Sequence, residues 1–207
     1  MQFEIDVHDN RSAMSSILEA AEDARRRGRV RKAIAGYRRA LEITPNDSAI
    51  HARLAPLLAK KGRLDEARAS FLAAARGEEQ RGFLDKAIGL YQGAVRYLPR
   101  EPELWSAMAE LHIKRERFAD AIRVLLEAAP HLLPAQAAPL LRRAHELDPY
   151  HEEVTIALAR ALRKSGQRKE ARQLLEALVV LHDSRALRAA IFRTHPTPVT
   201  LWRWITA

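Results

Sequence analysis

The chain contains no cysteine, which excludes disulfides, thiolate metal sites and thiol nucleophiles together. Aromatic residues are also scarce, at 6% of 207 positions, although 47% of the chain is hydrophobic. Its core must therefore be built mainly from alanine and leucine. Small aliphatic side chains suit closely packed helices better than a β-sandwich, which draws on branched and aromatic residues. No apolar run approaches the ~18 residues that a membrane span requires. The opening "MQFEIDVHDNRS" lacks the basic-then-apolar order of a secretory signal. There is no GxGxxG, no GxxxxGK(S/T) and no GxSxG, so neither a phosphate cradle nor a nucleophile elbow is expected. The eight histidines form no HxxxH pair and no ligand cluster. "HELDPYH" at 145–151 brings two close in sequence, but Pro149 breaks the helix between them, and each histidine is expected on a helix surface. These absences predict a soluble, cytoplasmic, non-catalytic protein without metal or cofactor. Arginine outnumbers lysine 28 to 7, the bias of a G+C-rich bacterial genome.

What the chain does have is basic charge, a formal net +9, concentrated first in "RRRGRVRK" at 25–32. Laid against itself, the chain shows this stretch to be one copy of a joint. "RRGRVRKA" (26–33), "KKGRLDEA" (60–67), "QRGFLDKA" (80–87), "KRERFADA" (114–121) and "KSGQRKEA" (164–171) align, with Glu116 replacing glycine once. Lys or Arg complements the negative end of a closing helix, and Gly supplies its left-handed cap. Acids such as Asp65, Glu66 and Asp85 then fall in the first turn of the next helix. After the joint, "AIAGYRRALEITP" (33–45), "AIGLYQGAVRYLP" (87–99) and "AAPLLRRAHELDP" (137–149) place a small residue, a large one four later, Ala three later and then Pro. Spacings of four and three put these on one helical face, and Pro ends the helix. "HARLAPLLAKKG", "WSAMAELHIKRE" and "TIALARALRKSG" supply the partner helices.

This pattern resembles the tetratricopeptide repeat, a 34-residue helix-turn-helix unit. The matching positions are Leu54, Ala55, Gly62, Ala67, Phe71 and Ala74 in one unit, and Trp105, Met108, Ala109, Ala121, Leu125 and Ala128 in another. Leu158, Ala159, Gly166 and Ala171 match in a third, with Gly28, Ala33, Tyr37, Ala40 and Pro45 in the first. The resemblance covers about residues 14–181 and implies an all-α, right-handed solenoid of about ten helices within residues 12–193. The joint alanines at 33, 67, 87, 121, 137 and 171 give steps of 34, 20, 34, 16 and 34. Steps of 20 and 16 fit one helix rather than two. Segment 64–80 is therefore expected to be a single helix shared by two hairpins, and 118–129 likewise before the joint "PHLLPAQAAP".

The resemblance implies a non-catalytic adaptor that holds a protein partner in a concave groove lined by the first helix of each unit. The matching groove residues are Leu18, Glu22, Arg25, Ala52, Pro56, Lys60, Ser106, Glu110, Ile113, Lys114, Arg160 and Arg163. Arg25, Lys60 and Lys114 near the turns favour an acidic or phosphorylated segment. The family's carboxylate clamp is not implied, because its positions hold Leu18, Glu22, Ala52, Pro56, Ser106 and Glu110, which cannot grip an anion in that way.

The ends differ from the array. "QFEIDVH" (2–8) alternates with the period of a strand, so residues 1–11 are expected to be extended. Residues 194–207 form a tail in which Trp202 and Trp204 are expected to anchor a partner or to cap the last helices. Residues 184–207 carry four arginines (185, 188, 193, 203) and no acid, which supports an alternative reading as a nucleic-acid-associated protein.

Overall fold

A computed structural model describes residues 2–179, 184–194, 196 and 200, with side chains from residue 12 onward within that set. The chain is all-α, with eleven α-helices and no strand among the described residues. Contacts divide it into two compact units, Met1–Leu98 and Pro99–Ala207. The first unit holds α1 (Gln2–Arg26), α2 (Val30–Ile43), α3 (Ser48–Lys60), α4 (Leu64–Gln80) and α5 (Leu84–Tyr97). The second holds α6 (Pro102–Lys114), α7 (Phe118–Ala128), a 3-10 turn at Ala129–His131, α8 (Pro134–Leu147), α9 (Glu152–Lys164), α10 (Arg168–Val179) and α11 (Arg185–Thr194). Within each unit, helices adjacent in sequence pack on one another, the arrangement of an α-solenoid.

The repeat explains the core. Ala33, Ala67, Ala87, Ala121, Ala137 and Ala171 are all buried. So are Tyr37, Phe71, Tyr91, Leu125, Leu141 and Leu175, each four residues later. Three residues further on, Ala40, Ala74, Ala94, Ala128, Ala144 and Leu178 complete the same buried stripe. The alanines bring neighbouring backbones close, and each large side chain contributes about 1.5–3 kcal/mol by leaving water.

The joints repeat as closely as the core. Gly28, Gly62, Gly82 and Gly166 sit at positive φ, and Glu116 takes the same left-handed conformation at φ 58°. In all five, the following N–H reaches back five residues to bond a helix carbonyl, as Arg63 does to Leu58 and Arg117 to His112. "RRRGRVRK" is thus a helix joint whose arginines are partly neutralised at home, with Arg25 on Glu22 and Arg27 on Asp23. Helix α4 is a single helix with a glycine joint at each end, packed on both α3 and α5. Helix α7 likewise packs on α6 and on α8.

One expectation fails at the amino terminus. Helix α1 begins at Gln2, so residues 2–10 are helical and not an extended strand. A period-two pattern seven residues long also fits the first turns of a helix that its later residues stabilise. The expected tail anchors, Trp202 and Trp204, lie outside the described residues.

Candidate functional site

The expected groove residues fall on α1, α3, α6 and α9, the first helices of their hairpins. In the first unit, Leu18 and Ala52 are half-buried, while Arg25 and Lys60 are exposed. Pro56 lies inside α3 and lacks the N–H that would bond the Ala52 carbonyl, which leaves that acceptor without its helical donor. Glu22 is already engaged within the molecule. It accepts 2.7 Å from the buried Tyr37 hydroxyl and 2.8 Å from Arg25, and it pairs with Arg53 of α3 at 3.3 Å. The Tyr37 hydrogen bond, ahead of the two arginines, holds the Glu22 carboxyl below the usual range despite its partial burial. Burial and the same bond push the Tyr37 hydroxyl up to about 12. This cluster ties α1 to α2 and α3.

In the second unit, Ser106 and Lys114 are exposed and Ile113 is half-buried. Glu110 is engaged as well, accepting from Arg143 of α8 at 3.0 Å, and that arginine also reaches Glu146 at 3.2 Å. The histidines are structural in part. His145 contacts the Thr155 hydroxyl at 3.3 Å, and His151 caps α9 by accepting from the Val154 N–H. His131 stacks on Trp105 with ring centroids 5.8 Å apart. His112, expected on a surface, is instead only 5% exposed and lies 3.9 Å from Asp120. Burial holds its imidazole below the ordinary histidine range.

The two remaining predicted residues, Arg160 and Arg163, line a groove of about 570 Å³ between α9 and α11. On α9 it presents Ile156, Ala159, Arg160 and Arg163, at spacings of three and four that form one helical face. On α11 it presents Arg185, Ala186, Ala189 and Arg193, again one face. Ser184 fixes the start of α11, since its hydroxyl accepts from the Leu187 N–H at 3.1 Å and donates to Glu152 at the start of α9. Buried Leu187 fastens the opposite face of α11 into the core with Leu158, Leu162 and Leu175. Among the described residues, none of the four groove arginines makes an ion pair or side-chain hydrogen bond. A second groove, about 620 Å³ and largely apolar, flanks α9 on its other side and shares Ile156 and Arg160 with the first. In the sequence pattern Arg185 and Arg193 stand out only as part of a basic tail. Ser184 followed by arginine and alanine at helical spacing was the available signal that this stretch is a capped helix.

Family models of the tetratricopeptide repeat match residues 24–81 and 134–191, and a second such model matches residues 72–139. The chain belongs to the tetratricopeptide repeat family. No curated protein matches it. Similar solved structures include a tetratricopeptide repeat protein from Parabacteroides merdae ATCC 43184, at 14% identity over 94% of this chain and 77% of that one, with a TM-score of 0.33. The MamA protein is 13% identical over 81% of this chain and 90% of its own, with a TM-score of 0.34. Pseudomonas aeruginosa pilF is 16% identical over 96% and 88%, with a TM-score of 0.31. The tetratricopeptide repeat fold is in general non-catalytic and supports protein–protein interaction and scaffolding. Among the described residues, no group of histidines and acids is arranged to hold a metal ion, and no helix is long and apolar enough to cross a membrane.

Proposed function

We propose that this tetratricopeptide repeat protein is an adaptor that holds a segment of a partner protein against the first helices of its hairpins. The supporting observation is the contrast between its charged residues. Glu22 and Glu110, both at expected groove positions, are engaged inside the molecule. Arg160 and Arg163 face an open groove with Arg185 and Arg193 opposite and no described partner. The α9–α11 groove is therefore the principal seat, with Ala52, Pro56 and Lys60 of α3 as a separate surface in the first unit. Chemical cross-linking followed by affinity capture and mass spectrometry tests this reading. The wild type should retain proteins that Arg160→Glu/Arg163→Glu loses, while a Lys60→Glu variant loses fewer of them. Identical sets from all three chains, each with an unchanged helical circular-dichroism signal, would refute the groove as the binding site.

A further inference from the structure

We infer that the groove between α9 and α11 receives an acidic amphipathic helix, with carboxylates against the four arginines and small apolar side chains on an alanine floor. This rests on the adaptor reading and names the chemistry of the partner. The floor is Ala159, Ala186 and Ala189, side chains short enough to let a third helix axis approach to the ~8–10 Å of ordinary helix packing. Arg185 and Arg193 stand eight residues apart on α11, about 12 Å along its axis. Carboxylates recurring every third or fourth residue of a partner helix span that distance with one acid per turn. Arg160 and Arg163 provide a second basic rail on α9.

What sets this cluster apart is that four arginines line one groove together, whereas several others are held by acids. Arg38 pairs with Glu66 and Arg142 with Glu170, each across neighbouring helices, and Arg172 pairs with Glu176 within one helix. Four guanidiniums gathered on one groove repel one another, and an acidic occupant relieves that repulsion. The adjoining apolar groove, opened by Leu126, Leu132 and Leu141 beside Ile156, can take one larger apolar side chain from the same partner. Nucleic acid fits less well. Among the described residues, no aromatic ring lines the α9–α11 groove to stack a base, and a phosphodiester backbone would leave the alanine floor uncovered.

The test is fluorescence anisotropy with the full chain at low salt. The probe is a labelled peptide of about five helical turns, with glutamates on one face and alanine and leucine on the other. The controls are the same residues scrambled, a poly-glutamate of equal length and a labelled single-stranded DNA. The amphipathic peptide should bind, and Arg160→Glu/Arg193→Glu should weaken it roughly tenfold or more. Ala186→Phe, which keeps every charge but fills the floor at an exposed position, should weaken it as well. Equal binding of the scrambled peptide or of poly-glutamate would overturn the helical seat in favour of charge alone. Tighter binding of the DNA, lost in the same arginine variant, would make this a nucleic-acid groove. Wild-type dimers in sedimentation that the arginine variant abolishes would make the occupant a second copy of the chain. If the peptide does not bind while the cross-linking capture still depends on Arg160 and Arg163, the adaptor reading stands and this partner chemistry is wrong.

Discussion

A glycine inside a helix ordinarily costs about 1 kcal/mol relative to alanine, so replacement should stabilise the protein wherever there is room. Three glycines in this chain divide on that criterion. A Cβ on Gly36 would lie 2.7 Å from the Ala21 Cβ and 3.2 Å from its Cα, and one on Gly77 would lie 2.7 Å from the Ser48 Cβ. Exposed Gly89 has nothing within 4 Å. Gly89→Ala should raise stability by several tenths to about 1 kcal/mol, whereas Gly36→Ala should lower it by about 1–3 kcal/mol through overpacking of α1 on α2. Urea denaturation of the variants checks the sign of each. A second residue-scale prediction concerns acid. Burial depresses the imidazoles of His112 and His145 in the folded state. As pH falls below ~6.5 the unfolded chain takes up these protons first, so stability declines until the folded pKa values are passed. Denaturation midpoints should therefore drop between about pH 7 and pH 5. His112→Leu should flatten that slope, leaving the share that belongs to His145. An unchanged slope would mean that His112 does not titrate differently on folding.

Joints show how one backbone geometry tolerates different residues. Four of the five use glycine at positive φ, and the α6–α7 joint places Glu116 there at φ 58°. A residue with a Cβ pays roughly 1–2 kcal/mol for that conformation, partly offset by the smaller entropy it loses on folding. Glu116→Gly is therefore expected to be neutral to about 1 kcal/mol stabilising, and Gly62→Ala, at φ 74°, destabilising by about 1 kcal/mol or more. In thermal melts the midpoint should fall for Gly62→Ala and hold or rise for Glu116→Gly. The α7–α8 connection uses another device, a 3-10 turn at Ala129–His131 followed by Pro134 at the start of α8. The Gln136 side chain returns to the Leu133 N–H at 3.1 Å, which satisfies a donor that the helix itself cannot.

For the molecule as a whole, the net charge of +9 makes approach to an acidic partner an electrostatic matter. Association rates of an acidic peptide should fall steeply with added salt, while dissociation, governed by the groove contacts, changes less. Stopped-flow binding at several ionic strengths separates the two. A rate independent of salt would mean that the basic surface does not steer the encounter. The helical stripes, the five joints, the shared helix at 64–80 and the repeat family were all legible in one dimension. Each depends on residues a few positions apart, and the spacing of Ala33, Tyr37 and Ala40 alone sets which face of α2 is buried. The same logic misread residues 2–8, where alternation over so short a stretch does not distinguish a strand from the beginning of a longer helix. Which charges remain available was decided by tertiary structure. Arg38 meets Glu66, and Arg143 meets Glu110 from 33 residues away, whereas Arg160 and Arg193 meet no described acid. No local period encodes those pairings, because an ion pair depends on which helices the packed stripes bring side by side.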